Sequence, residues 1–196
     1  MRIEEEIKLD YSDVLFRPKR STLKSRKDVD LNRKYTFKHS RLSWKGIPII
    51  ASNMDGVGEI DVAKKLSSHK LMTALTKQHD INQIGTIYKK NIFFDSIALS
   101  CGTSKDSYNR LNSILKKYPK FKFICIDVAN GYSENFSNFV SEVRKKYPKK
   151  TIIAGNVVTA DMTQELVLSG ADIVKVGIGP GSCLLYTSDA ADDTNR

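Results

Sequence analysis

Three glycines at alternate positions, Gly177, Gly179 and Gly181, close the apolar run Asp172-Ile173-Val174-Lys175-Val176 and lead to Ser182 and Cys183. Glycine has no Cβ, so such a run delivers bare backbone to a place where a phosphate or an ion comes close. Carbonyls projected around Pro180 suit a hard cation, and the neighbouring amides suit an anion. Asp127 ends the otherwise apolar run Phe121-Lys122-Phe123-Ile124-Cys125-Ile126. A carboxylate there accepts hydrogen bonds from a ribose or an amide, or serves the loop structurally; Asn130 and Asn156 add amide donors and acceptors. Ser52 and Met54 follow Pro48-Ile49-Ile50-Ala51, and a thioether packs equally well on a flat base or in a core. Lys77 is suited to a phosphate or to plain solvation.

These residues share a position: each follows a short strand-like run. The runs are Pro48–Ala51, Leu71–Ala74, Ser96–Ser100, Phe121–Asp127, Thr151–Ala154 and Asp172–Val176. They recur about every 25 residues with helical periodicity between them, which is the pattern of repeated βα units on a parallel sheet. Tyr108, Leu111, Leu115 and Tyr118 line one helical face, and Phe136, Phe139, Val140, Val143 and Tyr147 another. Tyr118-Pro119 and Tyr147-Pro148 stop those helices. Weaker helical patterns cover 61–68, 81–88 and 159–169.

Polar or glycine-bearing segments follow every strand rather than one switch point, and the first strand lacks a Gly-x-Gly-x-x-Gly turn. The fold expected is therefore α/β, a (β/α)8 TIM barrel truncated after about six strands, with its chemistry at the C-terminal strand ends. A doubly wound sheet is the competing architecture. Residues 1–45 read as an N-terminal extension packing on the barrel floor or on a neighbouring subunit. Residues 46–182 read as the partial barrel, and 183–196 as a tail of different character.

At 196 residues and 40% hydrophobic, the chain can bury the core of one domain. No apolar run approaches the roughly 20 residues of a membrane span, and the N-terminus lacks a signal-peptide core, so no membrane partner is expected. Three cysteines without a Cys-x-x-Cys pair suggest reduced thiols and a cytoplasmic setting. His39, His69 and His79 show no ligand spacing. The net charge of +10 raises nucleic-acid binding, but the lysines fall as pairs at helix ends, where they complement the helix dipole. No nucleic-acid module accompanies them, so no nucleic-acid partner is expected. Anionic small substrates also suit this charge.

Five segments together resemble the GMP reductase branch of the IMP dehydrogenase/GMP reductase family: Asp13–Thr22, Pro48–Asp55, Ile126–Ser133, Ala154–Thr159 and Gly170–Ser182. The likeness covers residues 1–182. IMP dehydrogenases normally carry regulatory domains inserted after the second barrel unit, and 77–96 leaves no room for them. The resemblance implies NADPH-dependent reductive deamination of GMP to IMP and ammonia, in which a cysteine thiolate attacks purine carbon 2. It also implies a bound potassium ion and a homotetramer. By matching position, Arg26, Lys77, Asp106, Asp127, Val128, Ala129, Ile178 and Gly179 would contact NADPH, with Arg26 reaching a neighbouring subunit's cofactor. Ser52, Met54, Asn156 and Ser182 would contact the purine nucleotide, and Gly179 and Gly181 the potassium ion.

The chain departs from the family after Ser182. The family has one variable residue and then the catalytic Cys; here Cys183 follows Ser182 directly and Leu184 holds the nucleophile's position. A one-residue shift on a tight turn re-aims a side chain beyond what near-attack geometry tolerates. The expectation is a chain without turnover that, with the barrel unclosed, is prone to aggregate. Two alternatives remain: an IMP dehydrogenase-type NAD-dependent fragment, and a non-catalytic nucleotide- or RNA-binding protein.

Overall fold

Short apolar runs alternating with amphipathic helices build one repeating unit in this chain. In the computed structural model, which describes residues 9, 13–89 and 94–177, the units run in strict order. An antiparallel hairpin, β1 (Arg33–Thr36) and β2 (Ser43–Gly46), precedes β3 (Ile50–Ala51), α1 (Ile60–Ser68), β4 (Met72–Leu75) and α2 (Ile81–Lys89). Then follow β5 (Ile97–Cys101), α3 (Lys105–Lys117), β6 (Phe123–Asp127), α4 (Glu134–Lys146), β7 (Thr151–Val157), α5 (Ala160–Leu168) and β8 (Ile173–Val176). Strands β3 to β8 form a six-stranded sheet in the order β3-β4-β5-β6-β7-β8, every neighbouring pair parallel. An unreversed order has no switch point, so the doubly wound alternative falls and the barrel topology stands.

Local chemistry sets the helix starts on the side where the strands end. Ser104 caps α3 by accepting from the Ser107 amide, Ser133 caps α4 through the Phe136 amide, and Thr159 caps α5 through the Met162 amide. The helices stop at Tyr118 and Tyr147, each before a proline, with Lys116, Lys117, Lys145 and Lys146 in the last turns.

Period-two alternation then divides the core. Ile97, Leu99, Ile124, Ile126, Ile152 and Ala154 face the helices and pack on Leu111, Ile114, Phe136, Val140 and Leu166. Met72, Ala74, Ala98, Phe123, Cys125 and Ile153 face the other way, into the barrel interior.

The floor of that interior is closed by the hairpin, which sequence patterning does not show because β1 is exposed throughout and β2, four residues long, buries only Trp44 and Gly46. Trp44 is only 6% exposed and joins the interior cluster, while Phe37 meets Phe123 edge-on at 5.9 Å. A buried carboxylate fastens the hairpin turn. Asp172, whose side chain is 0% exposed, accepts from the His39 and Ser40 amides through Oδ1 and from the Ile152 amide and Arg144 Nη2 through Oδ2. Arg144 also donates to the carbonyls of Gly170, Tyr147, Pro148 and Lys150. Burial lowers the Arg144 pKa, opposed by Asp172. The described residues up to Asp30 belong to a unit of their own, which contains a short 3-10 turn, Arg26–Asp28, closed by a Ser25/Asp28 capping box.

Candidate functional site at the C-terminal strand ends

Six strands of one sense bring their C-terminal ends to a single rim, and the polar residues singled out in the sequence collect there. Asp127 is the last residue of β6, half-buried, and pairs with Lys175 from β8. Lys175 Nζ also donates to Asn53 Oδ1 at 3.3 Å, so the ends of β3, β6 and β8 meet on one ammonium. Val128 packs against the helix-side core, and its backbone is tied to β7 by bonds to Gly155 and Asn156. Ala129 beside it is exposed.

Asn156, expected in a loop, lies inside β7, which runs three residues beyond Ala154. Its Nδ2 donates to the Gly177 carbonyl at 3.0 Å, whereas Oδ1 is buried with no partner among the described residues. A buried acceptor left open at a rim of this kind fits the N–H of a ligand amide or purine. The β6–α4 loop is pressed onto it: Gly131 donates to the Asn156 carbonyl at 2.9 Å, and a Cβ on Gly131 would stand 2.7 Å from that oxygen. Tyr132 Oη accepts the Val158 and Thr159 amides and donates to Thr159 Oγ1, holding the start of α5. The Thr159 hydroxyl first, and then the Val158 and Thr159 amides, can donate to the phenolate, which lowers the Tyr132 pKa.

After β3, Ser52 is exposed and Met54 is 42% exposed in a turn whose Met54 carbonyl receives the Val57 and Gly58 amides. A core role for Met54 is thereby excluded. After β4, Lys77 is half-buried with Nζ 3.9 Å from where a Gly102 Cβ would sit, so the β4 and β5 loops adjoin. That loop is braced by His79, which is buried with Nε2 at 3.2 Å from the Gly58 carbonyl and 3.3 Å from Glu59 Oε2. Arg110 of α3 donates to the His79 and Ser100 carbonyls, and burial lowers its pKa. Asp106 sits exposed in the first turn of α3, where its charge suits the helix dipole.

Both described cysteines are buried. Burial, reinforced by the neighbouring Cys125, pushes the Cys101 thiol up to about 12, and burial pushes Cys125 up to about 11. Neither is a thiolate nucleophile near neutral pH. Ile178, Gly179, Gly181, Ser182, Cys183 and Leu184 lie outside the described residues. Arg26 lies in the separate N-terminal unit. Among the described residues no cluster of His, Cys, Asp or Glu could hold a metal ion, and no helix is long and apolar enough to cross a membrane.

Sequence reasoning missed Lys175, Arg110 and Asp172. A signal existed for the first: Lys175 stands two residues from Ile173 in an apolar strand, which puts it on the same, interior face. Arg110 and Asp172 act through main-chain groups that no pattern displays.

A sequentially ordered parallel sheet with a polar rim at its C-terminal strand ends defines a βα-barrel protein of the class whose sites are built from the loops after the strands. The model of the IMP dehydrogenase/GMP reductase domain family matches residues 8–188. The chain belongs to that family. A GMP reductase of Yersinia enterocolitica is 53% identical over 184 residues, covering 93% of this chain and 53% of the relative. A GMP reductase of Caenorhabditis elegans is 51% identical over 183 residues, covering 92% and 51%. The chain thus spans about half the length of the curated relatives it matches. Among solved structures, an inosine 5'-monophosphate dehydrogenase from Legionella pneumophila superposes with a TM-score of 0.70 at 26% identity, over 89% of this chain and 52% of that one.

Proposed function

We propose that the chain carries the part of a GMP reductase that binds NADPH and the purine nucleotide, the enzyme's reaction being reductive deamination of GMP to IMP and ammonia. The observation that carries this reading is the identity above 50% to proteins named GMP reductase across almost the whole chain. NADPH supplies hydride when bound. Asp127 would accept from its ribose or carboxamide, beside Val128 and Ala129, while Lys77 would face a phosphate and Asp106 would flank the cofactor from α3. Arg26 would serve the cofactor of a neighbouring subunit in a homotetramer. On the purine side, Asn156 Oδ1 offers the open acceptor, Met54 presents a thioether at the surface, and Ser52 lies beside it. Ile178 and Gly179 would extend the cofactor contacts, Ser182 would meet the nucleotide phosphate, and the Gly179 and Gly181 carbonyls would hold potassium.

The chain as it stands would bind without turning over. Leu184 occupies the family's nucleophile position, and the described thiols are protonated. We place the protein in the cytoplasm, with no nucleic-acid or membrane partner. The test is a paired assay on the purified chain: calorimetric titration with GMP, IMP and NADPH, and absorbance of NADPH with GMP present. Guanine-nucleotide and NADPH binding with no oxidation is expected. Binding of NAD with IMP in preference to NADPH with GMP, or salt-sensitive RNA binding instead of either, would overturn the reading.

A further inference from the structure

The pair Asp127–Lys175 spans β7 without touching a β7 side chain, and the register explains how. Asp127 is paired with Gly155, and Gly155 with Lys175, so the three residues form one row across β6, β7 and β8. Residues in one row point to the same face, and the outer two stand two strand spacings apart, about 10 Å. Only a long cationic side chain covers that gap, and only over a residue with no side chain of its own. A Cβ on Gly155 would lie 2.6 Å from Lys175 Cβ and 2.5 Å from the Lys175 carbonyl oxygen. The same ammonium reaches Asn53, 122 positions earlier in the chain, on the loop that carries Ser52 and Met54.

We propose that Lys175 is the positioning residue of the nucleotide site, fixing the cofactor-facing carboxylate of Asp127 and the purine-facing loop after β3 against one another through a single ammonium. The inference rests on the functional reading above and adds a residue to it. Lys175 holds Asp127 Oδ1, and no described residue donates to Oδ2, so the carboxylate keeps one oriented oxygen for a ligand hydroxyl or amide. With side chains 23% and 26% exposed, the pair is sheltered enough to hold its geometry and open enough to meet a ligand. Without the ammonium, the carboxylate turns to water, and the β3 loop loses its tie to the far side of the rim.

The test uses the 196-residue chain and four variants: Lys175→Met, Lys175→Arg, Asp127→Asn and the double Lys175→Met/Asp127→Asn. Each is read by NADPH fluorescence titration and by thermal unfolding. Lys175→Met is expected to raise the NADPH Kd about tenfold, as befits loss of one charge-assisted bond, with Lys175→Arg restoring most of it. The double variant should bind no worse than Asp127→Asn alone, because Lys175 acts through that carboxylate. Unchanged Kd in Lys175→Met, with or without a lowered Tm, overturns the proposal, and so do additive effects in the double variant. If the unsubstituted chain binds no NADPH, the functional reading fails instead. The pair is then decided by unfolding: additive Tm changes at 127 and 175 would refute it, and non-additive ones support it.

Discussion

Replacing Asp172 by alanine should undock the hairpin from the barrel floor. The carboxylate is fully buried and accepts from three backbone amides and one guanidinium nitrogen. Removing one partner of a buried ion pair costs about 3–5 kcal/mol, because the donors left behind are desolvated and unpaired. Arg144 keeps four carbonyl acceptors after the change, which places this case at the low end, about 3 kcal/mol. For a chain of this size that is a Tm loss of about 10 °C. The protein contains one tryptophan, Trp44, and it sits on the hairpin strand packed into the interior cluster. Its emission therefore reports hairpin docking directly, and should shift to the red in Asp172→Ala at temperatures where circular dichroism still shows helix. Asp172→Asn should lie between, since its amide oxygen serves the His39 and Ser40 amides while its NH2 opposes Arg144 and Ile152. A Tm within about 2 °C of the parent together with unmoved Trp44 emission would refute the reasoning.

The remaining expectations are shorter. Cys101 and Cys125 should resist a thiol reagent at pH 8 in the folded chain and react once denaturant is added; fast labelling of either in the native state would contradict their burial. Both folded-state pKa values lie above the ordinary 9.0, so the unfolded chain releases these protons first. Their contribution is intact below pH 9 and declines as pH rises toward about 11 for Cys125 and about 12 for Cys101, and Cys→Ala variants at the two positions should lessen that alkaline loss in urea titrations. Gly131→Ala forces a Cβ to 2.7 Å from the Asn156 carbonyl, and is expected to cost about 1–3 kcal/mol in unfolding free energy and to weaken purine-nucleotide binding; full binding would show that the β6–α4 loop does not hold Asn156.

Much of the framework is legible in the sequence. Strands and helices announce themselves where one face is buried, as at Ile124/Ile126 and at Phe136, Val140 and Val143, because alternation and the 3.6 period are direct images of burial. The rim positions of Asp127 and Asn156 are legible because a polar residue at the end of an apolar run has few reasons to be there. The hairpin is not: part of its anchoring is two backbone amides meeting a carboxylate 132 and 133 positions away, and backbone amides leave no mark on residue identity. The same holds for Arg110, whose partners are carbonyls. Lys175 falls between, since the apolar run that carries it reads as a strand but the row Asp127–Gly155–Lys175 needs the register of three strands.

The opposite end of the sheet offers the contrast that makes a decisive measurement possible. There a basic groove lined by Pro119, Lys120, Lys122, Lys146, Pro148 and Lys149 faces solvent. Anionic nucleotides drawn by charge alone would collect in it. A crystal structure of the chain soaked with GMP and NADPH distinguishes the two ends. The expected result is nucleotide density at the C-terminal rim, within hydrogen-bonding distance of Asp127 and Asn156 Oδ1. Density confined to the lysine groove, with an empty rim, would contradict the account.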